Sequence, residues 1–168
     1  MQDKELITNI LSEFYDVPAC VFARDGKVLS VALGQNSNDA YKKAFDMNPM
    51  DLFGASVGFS TKIDKISLKH ITSCKQKIIE IEGELKEHKK NVINSTLSDN
   101  ETDAENARIL TLSLNKDTFK VITKTSPEPE FIEDAIFAWK VSKYLSGENL
   151  LIAKNFKTLA IFQNVGDI

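Results

Sequence analysis

Two cysteines and two histidines are the side chains in this sequence best suited to metal binding or nucleophilic chemistry. Cys20 and Cys74 lie far apart and neither belongs to a Cys-x-x-Cys pair, while His70 and His88 each stand alone. This spacing argues against a metal site. Cys20 lies in an apolar run, so we expect a buried free thiol there and no disulfide.

The elements that must position any site fit one domain of 168 residues with an ordinary core. The net charge is −3, and lysines and arginines are spread along the chain, which argues against nucleic acid or an anionic membrane as partner. No apolar stretch approaches the roughly 20 residues that span a bilayer. The polar N-terminus does not have the pattern of a signal peptide. We therefore expect a cytoplasmic protein.

Apolar periodicity predicts helices interleaved with strands. An amphipathic helix at 4–14 is followed by a strand at 19–23, the turn Arg24-Asp25-Gly26-Lys27 and a strand at 28–33, with Asp-Gly as a hairpin signal. A helix that starts at Asn36 or Ser37 and stops before Pro49 comes next. Further elements are predicted at 52–59 (a loop entering a Gly-rich strand), 64–74 and 83–91 (helices), and 77–81, 108–114 and 119–123 (strands).

The C-terminal third repeats the arrangement of the first. Ser126-Pro127-Glu128 predicts the start of a long helix, which two strands at 150–153 and 158–162 follow around a turn at 154–157. A helix with a hairpin thus occurs twice, and we expect both units on a common sheet. This pattern predicts an α/β domain with a mixed sheet. The polar, acidic residues 94–106 predict a mobile connection, with a lid as the alternative.

Several motifs in this order resemble AICAR transformylase, the formyl-transferring part of the bifunctional purine-biosynthesis enzyme that also carries IMP cyclohydrolase. The similarity runs from Val17 to about Ala55 and again from Val121 to about Leu159, and it rests on Val17-Pro18-Ala19, Ala40-Tyr41-Lys42-Lys43-Ala44, Asn48-Pro49, Phe53-Gly54 and Phe137-Ala138-Trp139-Lys140-Val141-Ser142-Lys143-Tyr144. The resemblance implies one transformylase-like domain over residues 1–168. It also implies a three-layer cytidine deaminase-like fold, with helices on both faces of a mixed sheet.

The resemblance also implies candidate site residues, several of which depart from the family pattern. The family's catalytic Lys-His pair aligns with Arg24 and Asp25. Arginine keeps the positive charge but does not readily release a proton, and Asp25 could accept one only with a raised pKa. Forming the turn is the alternative role of Asp25. Phe53 and Gly54 are candidates for substrate binding, or else a core phenylalanine beside a glycine turn. The family's turn asparagine aligns with Glu148, and Asn149, one step away, is the remaining candidate.

These replacements leave three hypotheses open. The first is a truncated transformylase-like protein that keeps ligand binding but does not transfer formyl groups on its own. It rests on a retained scaffold in which the catalytic pair is replaced and the family's glycine and arginine phosphate cradle is absent from residues 160–168. The second is an active half-site completed by a dimer or a partner chain. The third is a non-catalytic assembly module with Phe162, Val165 and Ile168 as an apolar patch. We expect a homodimer and a purine nucleotide or folate ligand. No cofactor is required, except 10-formyltetrahydrofolate if the protein is active.

Overall fold

The computed structural model describes residues 3–81, 83–98, 120–122 and 124–163. The helices and strands within these ranges are α1 (Asp3–Ser12), β1 (Ala19–Arg24), β2 (Lys27–Leu33), α2 (Ser37–Phe45), β3 (Ser56–Phe59), α3 (Lys65–Ser73), β4 (Lys77–Ile78), α4 (Leu85–Ser98), α5 (Pro129–Ser142), β5 (Asn149–Lys154) and β6 (Lys157–Gln163). The six strands form one sheet in the order β4-β3-β1-β2-β6-β5.

The sheet is mixed, as the two hairpins predict. β3 and β4 are parallel, whereas every other neighbouring pair is antiparallel. At one end of the sheet, which we call the upper end, β1 and β6 end and the other four strands begin. The candidate residues Arg24, Gly54 and Asn149 all lie at or beside this end.

Helices pack on both faces of the sheet because side chains alternate along a strand. In β1, Val21 and Ala23 join a core cluster with α1 and α5. Cys20 and Phe22 point to the opposite face and pack with α2 and α3. β1 is buried on both sides, which explains why its sequence is apolar throughout. Cys20 is buried and free, as expected, and burial raises the pKa of its thiol.

The two helix–hairpin units share a further detail that the sequence did not reveal. Both hairpins close through two residues with positive φ, Asp25 and Gly26 in the first and Asn155 and Phe156 in the second. This geometry is a type I′ turn. In the second unit the carboxylate of Asp134 in α5 accepts hydrogen bonds from both turn amides, at 2.9 and 2.8 Å. In the first, Asp3 in α1 accepts one from Gly26 at 2.8 Å. An aspartate of the preceding helix therefore holds each turn.

Buried charges join α1 to α4 and α5. The Glu13 carboxylate accepts hydrogen bonds from Lys89 at 2.8 Å, from Lys143 at 3.2 Å and from the Tyr144 hydroxyl at 3.0 Å. The side chains of Glu13 and Lys143 are only 3% and 4% exposed. Burial alone would raise the pKa of Glu13, but the lysines and the tyrosine outweigh it and the net pKa is lowered.

Several predicted boundaries need correction. α5 starts at Pro129 with Glu128 as N-cap, two residues after the predicted cap Ser126, because the second proline of Pro-Glu-Pro takes the first helical turn. α4 continues to Ser98 rather than ending at residue 91, and so covers the beginning of the 94–106 connection. The strand predicted at 77–81 is only two residues long.

Some predictions lie outside the described residues. These are the rest of the connection, 99–106, the strand at 108–114, and Val165 and Ile168 of the predicted apolar patch. Of the strand predicted at 119–123, the described residues 120–122 form no strand. In the ranges that the structure describes, no helix has the length and apolar character needed to cross a bilayer.

Candidate functional site

Arg24 lies at the upper end of β1, on the face covered by α2 and α3. It shares this face with Cys20 and Phe22, because alternate residues of a strand point the same way. Its guanidinium donates a hydrogen bond from Nη2 to the carbonyl oxygen of Phe53. Arg24 is therefore fixed against the loop that precedes β3, with other N–H groups left over for a ligand.

Asp25 adopts the turn geometry that its Asp-Gly sequence predicts. Its φ is 52°, and the side chain is exposed. The amide of the next residue, Gly26, is bound by Asp3, whose other carboxylate oxygen accepts a hydrogen bond from the Ser56 hydroxyl at 2.7 Å. The turn role of Asp25 thus has direct structural support, and its carboxylate lies in solvent rather than in a buried site.

Phe53 and Gly54 form an exposed loop beside Arg24. The Phe53 side chain is 51% exposed, so the alternative of a core phenylalanine is wrong. Gly54 has a φ of 68°, which favours glycine, and its amide donates to the Cys74 carbonyl at 3.0 Å. The loop is thereby bound to the end of α3 while an aromatic face stays open to solvent.

Asn149 begins β5 at the same upper end but does not join this group. β2 and β6 separate β5 from β1, which places the two strands about 14 Å apart at the usual strand spacing. The Asn149 amide donates to the Gly147 carbonyl at 3.2 Å, a local turn contact. The structure thus brings Arg24, Asp25, Phe53 and Gly54 together and leaves Asn149 apart.

His70 is a neighbour of this site that sequence reasoning missed. Its Nδ1 lies 2.8 Å from the hydroxyl of Tyr41 and 3.8 Å from Sγ of Cys74. Its ring packs edge-on against Phe45, with centroids 4.8 Å apart. Since the Cys74 carbonyl holds Gly54, the imidazole stands next to the Phe53-Gly54 loop. The four-residue spacing of His70 and Cys74 on a predicted helix was the available signal.

The hydrogen-bond network assigns the tautomer of His70. The Gln76 amide nitrogen donates to the Leu52 carbonyl at 3.1 Å, so its oxygen must accept the proton of the Tyr41 hydroxyl, 2.8 Å away. Tyr41 can then only accept from His70, which places the proton of the neutral imidazole on Nδ1. Burial raises the pKa of Tyr41 well above its ordinary value, so the hydroxyl stays protonated. The exposed His70 therefore keeps Nε2 as a hydrogen-bond acceptor.

A cavity of about 970 Å³ opens at the opposite, lower end of the sheet. Apolar side chains such as Phe59, Leu68 and Ile78 line it, with Lys62 and Lys86 among the charged residues. None of the five candidate residues borders this cavity. No group of three or more potential metal ligands occurs in the described part of the chain.

Comparison of the sequence with known proteins identifies its family. The family model described as AICARFT/IMPCHase bienzyme matches residues 1–163. The chain belongs to that family. It is 32% identical to the bifunctional purine biosynthesis protein PurH of Caldicellulosiruptor saccharolyticus and 30% identical to those of Caldicellulosiruptor bescii and Aquifex aeolicus. Each comparison covers 95% of this chain and 34% of the relative. The chain thus spans about a third of the length of these relatives.

Proposed function

We propose that this protein is a ligand-binding, transformylase-like domain of purine biosynthesis that does not transfer formyl groups on its own. The replacement of the family's Lys-His pair by Arg24 and Asp25 carries the proposal. Formyl transfer to an amine requires a group that accepts the amine's proton near neutral pH. A permanently charged guanidinium cannot do so, and Asp25 is an exposed turn residue.

Ligand binding at the upper end is supported by what remains there. A guanidinium suits a phosphate or carboxylate, and the exposed Phe53 ring suits a flat heterocycle. His70 adds a hydrogen-bond acceptor at Nε2. A purine nucleotide or its aminoimidazole precursor combines these features, and a folate does so less completely. We assign the ligand to that class.

We also propose a cytidine deaminase-like fold and a cytoplasmic location, which the family membership and the mixed sheet support.

The second candidate function is an active half-site completed by another chain, with 10-formyltetrahydrofolate as formyl donor. One observation favours it: Asn149 lies at the same end of the sheet as the other candidate residues but apart from them. In this candidate a partner covers the upper end of the sheet, and Asp25 accepts the proton of the reacting amine. The substitution Asp25→Asn separates the two candidates. In an active half-site it would abolish formyl transfer, whereas in a domain that only binds its ligand it would leave the affinity within about threefold of wild type.

Direct assays test the proposal. The purified chain is mixed with AICAR and 10-formyltetrahydrofolate, and formyl transfer is followed by absorbance, while AICAR binding is measured by calorimetry. We expect binding without turnover, and binding weakened at least tenfold in Arg24→Met. Lys27→Met, an exposed residue of the same hairpin, is the matched control. Turnover at ordinary enzymatic rates, or no binding of AICAR, would overturn the proposal.

A further inference from the structure

The outer edge of β5 differs from the equivalent edge of the first helix–hairpin unit. In the first unit β1 bonds to β3 on its outer side, and α2 and α3 cover the face that carries Cys20 and Phe22. In the second unit β5 is the last strand of the sheet, and no strand within the described residues bonds to its outer side. An open edge of this kind can pair with a strand of another chain.

The face beside this edge is apolar and exposed. Burial alternates along β5: Leu150 and Ile152 are 52% and 47% exposed, while Leu151 and Ala153 pack toward the core that contains α5. Phe162, the cross-strand partner of Leu150, is 54% exposed. Glu148 and Lys154 continue this row of exposed side chains by one position at each end. In chain order the row is Glu148, Leu150, Ile152 and Lys154, that is, acidic, apolar, apolar and basic.

The hairpin geometry shows which backbone groups of β5 point outward. Lys154 and Lys157 close a two-residue turn and therefore bond to each other across the hairpin. Along an antiparallel strand, residues whose backbone amide and carbonyl groups point toward one neighbouring strand alternate with residues whose groups point to the other side. The extra residue of the bulge lies in β6, since Ile152 pairs with Ala160 and Ala153 with Thr158. The amides and carbonyls of Asn149, Leu151 and Ala153 therefore face the open edge.

We propose that β5 pairs antiparallel with β5 of a second copy of this chain, about a two-fold axis at Leu151. In this register the backbone groups of Asn149, Leu151 and Ala153, which face the open edge, form about six hydrogen bonds with the second copy. Leu150 then faces Ile152 of the partner subunit, and Glu148 faces Lys154 of the partner subunit. These fall at the non-hydrogen-bonded positions, where opposing side chains are closest.

Charge complementarity selects a second copy as the occupant. When two copies of the row from 148 to 154 run antiparallel, the acidic end of each faces the basic end of the other. A two-fold interface requires a surface that is complementary to itself in this way. Lys154 also lies across from Lys157 in its own hairpin, so a carboxylate of the partner would relieve a repulsion between like charges. The inference rests on the expected homodimer and locates its interface, and it is independent of ligand binding.

Charge reversal tests both the surface and the register. Sedimentation velocity of the full chain over a range of concentrations gives the dimer dissociation constant for wild type and variants. We expect Lys154→Glu and Glu148→Lys each to raise this constant at least tenfold, because like charges then meet twice across the axis. The double variant should return to within threefold of wild type. Lys69→Glu, an exposed position on α3, changes the net charge equally and should leave the constant unchanged.

Three results would overturn the inference. A wild-type chain that stays monomeric at every concentration removes the homodimer together with its interface. A dimer that neither single reversal weakens lies elsewhere on the surface. A double variant as weak as the single variants excludes the register centred on Leu151. None of these results concerns AICAR binding, so the proposed function is tested separately by the binding and formyl-transfer assays.

Discussion

Replacing Glu13 by glutamine tests how strongly the buried ion network stabilises the fold. The substitution preserves shape but leaves the Lys143 ammonium, whose side chain is 4% exposed, without its carboxylate. Removing one partner of a buried ion pair costs about 3–5 kcal/mol, because the remaining charge stays desolvated. Lys89 is 29% exposed and can turn to water, so it adds less. A domain of this size has a free energy of unfolding of about 5–15 kcal/mol, so the expected loss is a large part of it.

Equilibrium unfolding in urea, followed by circular dichroism, measures this loss. The control is Lys43→Met, which removes an ion pair to Asp39 between half-exposed side chains one helical turn apart. Such pairs contribute below about 1 kcal/mol. The double variant of Glu13→Gln with Lys143→Met should recover most of the loss, since both buried charges are then gone. A loss below about 1 kcal/mol for Glu13→Gln alone, with an unchanged urea slope, would refute the reasoning.

The same carboxylate makes stability depend on pH in a defined direction. The pKa of Glu13 is lowered in the folded protein from its ordinary value of 4.5, so the unfolded chain binds its proton at a higher pH. This contribution to the free energy of unfolding is complete above pH 4.5 and is lost as the pH falls through the lower, folded value. Urea midpoints of wild type should therefore fall more steeply below pH 4.5 than those of Glu13→Gln. Parallel pH profiles would contradict this assignment.

Three further substitutions probe the turns, the packing and the site. Asp134→Ala removes both hydrogen bonds to the turn at 155–156 and should cost about 1–3 kcal/mol in urea unfolding; a change within error would show that the turn needs no such support. Gly34→Ala would place a Cβ 2.3 Å from the backbone nitrogen of Ala40, and we expect a loss of about 1–3 kcal/mol or more; unchanged stability would contradict that contact. His70→Asn keeps a donor near the Nδ1 position but removes Nε2, so stability should hold while AICAR binding weakens about tenfold; equal binding would exclude a role for Nε2.

Local patterns explain how much of the fold could be predicted from the sequence. Asp25-Gly26 fixes a type I′ turn by itself, and the apolar spacing of α1 marks its buried face. The junction of the two units depends instead on contacts between distant residues. Thr158 exchanges hydrogen bonds with the backbone of Val31, 127 positions earlier, and Gln163 donates to the Val28 carbonyl. No local propensity encodes such a pairing.

The candidate site, like the fold, could be predicted only where local motifs encode it. Motif similarity selected Arg24 and the Phe53-Gly54 loop, which do lie in contact. It could not reveal His70, whose place depends on the chain of hydrogen bonds through Tyr41 and Gln76 to the loop. It also grouped Asn149 with the others, because alignment gives order along the chain but not the two strands that separate β5 from β1.

The internal repeat bears on the proposal of ligand binding without formyl transfer. In the first unit, α2 and α3 cover one face of β1 and β3 lies beside it, so Arg24 at the upper end of β1 acquires the Phe53 carbonyl as a hydrogen-bond partner. In the second unit, the residue equivalent to Arg24 is Lys154, which lies at the lower end of the sheet, while Asn149 at the upper end donates to the Gly147 carbonyl. The internal repeat thus places the two equivalent positions, Arg24 and Lys154, at opposite ends of the sheet. Under the proposed function, a ligand binds through the residues around Arg24, whereas formyl transfer also needs a proton acceptor placed at the reacting amine.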